Sequence, residues 1–129
     1  MHSDTRQTKQ AAKKLTRKLH YDDMTTDQKI VKLRRWLVEN HENKAEIEEY
    51  LTLERMYIES MVNLPNNLVV LDMHIDDQVR RAELLVKLYP NNGNEGFLRR
   101  TLEIKAKIEA GEIIPMNEFP KEYWHEVSQ

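Results

Sequence analysis

The side chains best suited to hold a metal ion lie close together in the middle of the chain. Carboxylate oxygens and an imidazole, which are ligands for divalent cations, are supplied by Asp72, His74, Asp76 and Asp77. On a helix, Asp72 and Asp76 share one face and the ring of His74 points away from it, so the four groups do not converge. Carboxylates are also favoured at the first turn of a helix by its macrodipole. We therefore interpret these residues as an acidic helix start and expect no metal site.

The pair Glu122 and His125 has the spacing of the Glu-x-x-His motif found in di-iron helical bundles. That chemistry requires two such motifs and two further glutamates that point into the core, whereas this chain has one copy near its carboxyl end. The sequence also has no cysteine, no glycine-rich phosphate loop and no Gly-x-Ser-x-Gly motif. These observations predict a non-catalytic protein without a cofactor, and acid–base catalysis by scattered Glu and His is unsupported.

Positive charge is concentrated at the amino end. Residues 1–35 contain ten Lys or Arg against four Asp or Glu, a balance of +6, and the remaining residues contain ten against eighteen, a balance of −8. A positive segment attracts polyanions, whereas an acidic body is repelled by them. The predicted nucleic-acid-binding residues are Lys9, Lys13, Lys14, Arg17, Lys18, Lys29, Lys32, Arg34 and Arg35.

Two interpretations of these basic residues remain open. In the first, residues 10–19 form a helix, and Lys9, Lys13 and Arg17 present a ridge that follows phosphates, with an affinity that falls as salt rises. Trp36 could then stack on a base, although a Trp at an apolar helical position more often belongs to a core. In the second interpretation, the basic residues form a solvated face that only aids solubility.

The spacing of apolar residues predicts four main helices. The predicted helices cover residues 25–40, 45–63, 72–89 and 97–108. Thr25-x-x-Gln28 matches a capping box at the start of the first helix, and Gly111 is placed as a left-handed terminator of the fourth. The run 68–71 fits either a short strand or the start of a helix. We interpret it as a helix start, because no second strand-like run is close enough to pair with it.

The carboxyl-terminal stretch is rich in aromatic residues. Pro115 and Pro120 favour extended backbone before them, and residues 122–127 are predicted to form a short helical turn. Phe119, Tyr123 and Trp124 are too apolar for a free tail. We expect them to pack on the helices or to bind a protein partner, because aromatic residues beside charges are common interface anchors.

These patterns predict an all-α protein, an irregular four-helix bundle with a basic N-terminal extension over residues 1–24, an aromatic C-terminal tail and a single helical domain over residues 25–129. The chain has no run of about 20 apolar residues that could cross a bilayer and no apolar secretory signal at its amino end. Together with the absence of cysteine, this indicates a cytoplasmic protein that does not bind membranes.

The function predicted from the sequence is that of an accessory or regulatory factor associated with DNA or RNA. The basic N-terminal region would contact phosphates, and the acidic helical body would mediate association with a protein or with a second copy of the chain. The alternative is a protein-only adaptor or inhibitor that binds its target through the acidic helices and the aromatic tail.

Overall fold

In the computed structural model of the protein, the described residues are 23–127, without the side chains of residues 66 and 125–127. These residues form five α-helices and one two-stranded antiparallel sheet. The elements are α1 (Thr26–Asn40), α2 (Lys44–Glu59), β1 (Met61–Asn63), β2 (Val69–Leu71), α3 (Ile75–Leu88), α4 (Asn94–Glu109) and α5 (Lys121–Val127), with single 3-10 turns at Pro65–Asn67 and Met116–Glu118. The all-α class is confirmed. The predicted basic extension lies outside the described residues except for its last two.

Local capping interactions set the ends of the helices. The hydroxyl of Thr25 accepts a hydrogen bond from the backbone N–H of Gln28 at 3.2 Å, and the Gln28 side chain accepts one from the backbone N–H of Thr25 at 2.9 Å. This confirms the predicted capping box. At the end of α4, Gly111 has a φ of 74° and donates its N–H to the carbonyl of Ile108. The predicted left-handed terminator is therefore also confirmed.

The two predictions around the sheet are wrong. α2 ends at Glu59 rather than at residue 63, and the run predicted to start a helix is strand β2. β1 pairs with β2 so that Val62 lies opposite Val70. Met61 and Val62 fit helical spacing as continuations of α2, but pairing with a run further along the chain fixes them in a strand. α3 consequently begins later than predicted.

The four long helices pack on their neighbours in sequence. α1 packs on α2, α2 on α3, and α3 on α4. The largest fully buried side chains are Leu37 of α1, Ile47 and Leu51 of α2, and Leu84 of α3. The main core therefore lies between the first three long helices, and α4 covers the outer side of α3. The closing of these helices into a four-helix bundle stays a prediction.

A second, smaller core lies between the sheet and the carboxyl-terminal residues. Leu64, Val70 and Trp124 are buried against one another, and Val62 and Met116 pack on them. The indole Nε1 of Trp124 donates to the carbonyl of Met116 at 2.7 Å, which satisfies the polar atom of a ring that is 2% exposed. The residues after α4 thus return across the molecule and cover one face of the hairpin formed by β1 and β2.

Candidate nucleic-acid interface

Four of the nine predicted phosphate-binding residues are described, and all four lie on α1. Ile30 and Leu37 are 3% and 0% exposed and fix the side of α1 that faces the core. Lys32 and Arg35 are exposed on other sides of the helix, and Lys29 is half-buried. The predicted residues Lys9, Lys13, Lys14, Arg17 and Lys18 lie outside the described residues.

Arg34 contacts an acidic residue of α2. Its Nε lies 3.0 Å and 3.1 Å from the two carboxylate oxygens of Glu48, and a terminal guanidinium nitrogen lies 3.0 Å from one of them. Both side chains are about half exposed (45% and 53%), so water screens the pair and its contribution to stability is small. A phosphate would have to compete with Glu48 for this guanidinium group.

Four acidic residues of α2 pair with cations of the neighbouring helices. Besides Glu48, whose partner lies on α1, three carboxylates of α2 pair with α3 at distances of 2.8 Å: Glu46 with Lys87, Glu49 with Arg80 in a bidentate arrangement, and Glu54 with Arg81. The hydrogen bond from Arg80 holds the pKa of Glu49 below its usual value of 4.5. These ion pairs reduce the negative charge that α2 presents to solvent.

One of these pairs is largely buried and belongs to a four-residue network. The side chains of Arg81 and Glu54 are 11% and 12% exposed. The hydroxyl of Tyr50 donates to the same carboxylate at 3.1 Å, and the guanidinium carbon of Arg81 lies 3.7 Å from the ring centre of Tyr57. Burial raises the pKa of Tyr50 far above its usual value. Since the polar groups satisfy one another, we interpret the network as a structural link between α2 and α3. The sequence offered no signal for it, because the partners are 27 residues apart.

Trp36 lies on α1 in a cluster of aromatic side chains. Its ring stacks on Tyr89, at the end of α3, with a centroid distance of 5.0 Å and an interplanar angle of 7°. The ring of His41 meets Trp36 edge-on at 5.9 Å. Among the described residues, Nε2 of His41 is the only buried side-chain nitrogen or oxygen without a hydrogen-bond partner. Trp36 is nevertheless 44% exposed, so it is a half-covered surface ring and not a core residue.

A shallow cavity of about 470 Å³ runs along the outer side of α1. Its described lining residues follow one another at helical spacing: Met24, Asp27, Gln28, Val31, Lys32 and Arg35. Val31 is 51% exposed, and the charged lining residues are Lys32, Arg35 and Asp27, the last of which is paired with Arg55. This combination suits a ligand that has both an apolar portion and negative charge.

The residues with metal-ligand chemistry are engaged in other contacts. Nδ1 of His74 accepts a hydrogen bond from the backbone N–H of Asp76 and caps α3, and the carboxylate of Asp76 lies 3.0 Å from Nζ of Lys105. This contact with Lys105 lowers the pKa of Asp76. Asp76 and Asp77 lie in the first turn of α3, which confirms their interpretation as an acidic helix start. Asp72 lies before this helix, and its carboxylate is 3.7 Å from Nζ of Lys121, so the prediction is wrong for this residue. Within residues 23–127, no group of three potential metal ligands lies close together, and the side chain of His125 is not described.

Comparisons of the chain with protein-family models, with curated proteins and with solved structures found no match. In the described range, no helix combines the length and the apolar composition required to cross a bilayer. The positions of charged and aromatic groups are therefore the basis for a functional proposal.

Proposed function

We propose that the protein is a non-catalytic accessory factor that associates with nucleic acid through its basic amino-terminal region. The observation that carries this proposal is the position of Lys32 and Arg35, which are exposed on α1 away from the core. The basic residues of the amino-terminal extension closely precede α1 in the sequence. Cations from the extension and from α1 can therefore contact successive phosphates of one polyanion.

The ion pairs of α2 support the same proposal. A strongly acidic helix beside α1 would repel phosphates, but Glu48 is paired with Arg34, and its acidic neighbours on α2 are paired with α3. At distances of a few ångströms these pairs cancel much of the field that each carboxylate would produce alone. The other acidic residues of the helical body would mediate association with a protein or a second copy of the chain, in a cytoplasmic setting.

Titration of a labelled duplex and a labelled single strand with the full chain, at about 50 mM and 200 mM salt, tests the proposal. Neutralising Lys32 and Arg35 together (Lys32→Gln, Arg35→Gln) is expected to weaken binding and to reduce the slope of log affinity against log salt by about 1.4 to 1.8, close to one unit per lost phosphate contact. The control is the pair Arg99→Gln and Lys107→Gln, two exposed cations of α4, which is expected to leave the slope unchanged. Absence of binding at low salt, or unchanged binding after deletion of residues 1–20, rejects the proposal.

A second candidate function is a protein-only adaptor or inhibitor, and exposed apolar side chains favour it. Phe97 and Ile104 lie seven residues apart on one flank of α4 and are 36% and 46% exposed. In the tail, Phe119 and Tyr123 are 39% and 48% exposed, whereas Trp124 is buried in the smaller core. A partner would thus contact the first two aromatic residues of the tail rather than the third.

Purification of the tagged full chain from its native host separates the two candidates. Nucleic acid retained by the protein raises the ratio of absorbance at 260 nm to that at 280 nm and supports the first candidate. A stoichiometric protein partner that is lost from the variant Phe97→Ser, Ile104→Ser supports the second. Recovery of the chain without any protein partner counts against the adaptor.

A further inference from the structure

We infer that Trp36 forms a stacking site for an unpaired nucleobase, so that single-stranded nucleic acid is the preferred ligand of the basic region. This inference rests on the proposed association with nucleic acid and adds the class of strand. Proteins that bind single strands combine a positively charged surface with aromatic side chains on which bases stack. α1 carries both kinds of group within three turns of helix.

The aromatic contacts hold the Trp36 ring in a fixed orientation. Tyr89 covers one face of the indole in a nearly parallel stack, and the His41 ring lies at 64° to the indole with the two ring centres 5.9 Å apart. The residue is nevertheless 44% exposed, so part of the indole surface is accessible to a ligand. Because the ring is already ordered, a base that stacks on it causes little further loss of side-chain entropy.

Cationic residues lie on the same side of α1 as the ring. Lys32 and Lys29 precede Trp36 by four and seven residues, which places them about one and two turns away along one stripe. With a rise of 1.5 Å per residue, they are displaced by about 6 Å and 10 Å along the axis. Long side chains at these distances can reach the phosphates next to a stacked base.

This geometry discriminates against duplexes. The bases of a double helix are stacked on one another, so Trp36 can reach one only after it has been unpaired and unstacked. In a single strand the bases are already unpaired, so this cost is smaller. We therefore expect a duplex to contact only the cations, whereas a single strand contacts the cations and the ring.

Intrinsic fluorescence gives a direct test, because the chain contains two tryptophans and Trp124 is only 2% exposed. The probes are oligothymidylate and oligouridylate of about 15 nucleotides and a duplex of equal length. Quenching of the exposed Trp36 is expected with the single strands and not with the duplex. The ratio of the two single-strand affinities shows whether DNA or RNA is the better ligand.

Two substitutions separate the ring from the rest of the surface. Trp36→Leu removes the aromatic face and is expected to weaken single-strand binding by about 5- to 150-fold without changing duplex binding, and Trp36→Phe is expected to keep most of the affinity. The control is Leu68→Ala in the hairpin turn, at a residue with the same 44% exposure, which is expected to leave binding unchanged. Circular dichroism shows whether each variant is folded. If Trp36→Leu does not fold, fluorescence quenching of the unmodified chain by single strands and duplex decides whether Trp36 is a stacking site.

The outcomes distinguish this inference from the proposed function. Salt-dependent binding of single strands without quenching, or with an affinity that Trp36→Leu does not change, overturns the stacking site and leaves the nucleic-acid association standing. Absence of binding to every probe at low salt overturns both. Quenching by single strands that is lost in Trp36→Leu, with duplex binding retained, supports both.

Discussion

Removal of one member of the buried Glu54–Arg81 pair is expected to destabilise the protein more than removal of both. The carboxylate lies 2.8 Å from the guanidinium group, and the two side chains are 12% and 11% exposed. When one partner of such a pair is removed, the other charge stays buried without compensation, at a cost of about 3–5 kcal/mol. Replacement of both by apolar residues avoids this cost.

The neighbouring residues refine these magnitudes. In Arg81→Met, Glu54 keeps the hydrogen bond from Tyr50, so we expect a loss of about 3 kcal/mol. In Glu54→Leu, Arg81 keeps its contact with the Tyr57 ring, but the Tyr50 hydroxyl loses its acceptor. The free energy of unfolding should therefore again fall by about 3 kcal/mol. The double variant leaves only that hydroxyl unsatisfied, at about 2 kcal/mol. Independent effects would sum to about 6 kcal/mol, so the expected coupling is about 4 kcal/mol.

Urea unfolding followed by circular dichroism at neutral pH measures these free energies of unfolding, provided that their dependence on urea concentration has the same slope in all variants. The matched control is the same cycle on Glu49 and Arg80, which connect the same two helices but have side chains 43% and 37% exposed. Its coupling is expected to stay below about 1 kcal/mol. Additive losses at Glu54 and Arg81, or equal couplings in the two cycles, would refute the assignment of the larger effect to burial.

Three further outcomes are expected. Trp124→Ala should lower the free energy of unfolding by about 3–5 kcal/mol in the same assay, because the ring fills the smaller core; a loss below about 1 kcal/mol would contradict its burial. Gly111→Ala should lower the free energy of unfolding by about 1–2 kcal/mol because φ is positive at this residue. Gly96→Ala should raise it by about 0.5–1 kcal/mol, because Gly96 lies inside α4 and the nearest atom to an added Cβ, at 3.5 Å, belongs to a flexible side chain. Changes of the same sign in both variants would be inconsistent with the backbone conformations. The pKa of Glu49, followed by NMR, should lie below 4.5 and should return towards 4.5 in Arg80→Gln. The stabilisation that this pair contributes should be present above pH 4.5 and should be lost as the pH falls through the lowered pKa. An unchanged pKa of Glu49 in the variant would exclude Arg80 as the cause of the shift.

Features that depend on a few adjacent residues could be predicted from the sequence. The capping box of Thr25 and Gln28 and the terminator at Gly111 are of this kind, because each is formed within one helical turn. The apolar stripes placed the four long helices for the same reason. In each case the residue types within one or two helical turns determine the backbone conformation.

Pairings between distant residues could not be predicted. Met61–Asn63 is a strand only because Val69–Leu71 lies beside it, and three residues are too few to show an alternating pattern. Arg34 and Arg35 are adjacent exposed arginines of α1, yet Arg34 pairs with Glu48, fourteen residues further along the chain. The charge composition therefore predicted which part of the chain is rich in cations, but not which cations form ion pairs with carboxylates of the same chain.

The two tryptophans illustrate the same limit. Trp36 occupies an apolar position of an amphipathic helix, a pattern that favours the core, and it is 44% exposed. Trp124 lies among charged residues in a short tail, and it is 2% exposed. Burial of a large ring depends on which other elements fold over it, and that information is spread over the whole chain.

The return of the carboxyl-terminal residues across the hairpin has a consequence for synthesis on the ribosome. Val70 emerges more than fifty residues before Trp124, and at about 5–20 residues per second this interval lasts on the order of 3–10 s. During this interval the apolar face of the β1–β2 hairpin on the nascent chain is uncovered, and exposed apolar strands favour aggregation with other chains. Chaperone engagement during translation should therefore peak in this window and end when the indole has docked.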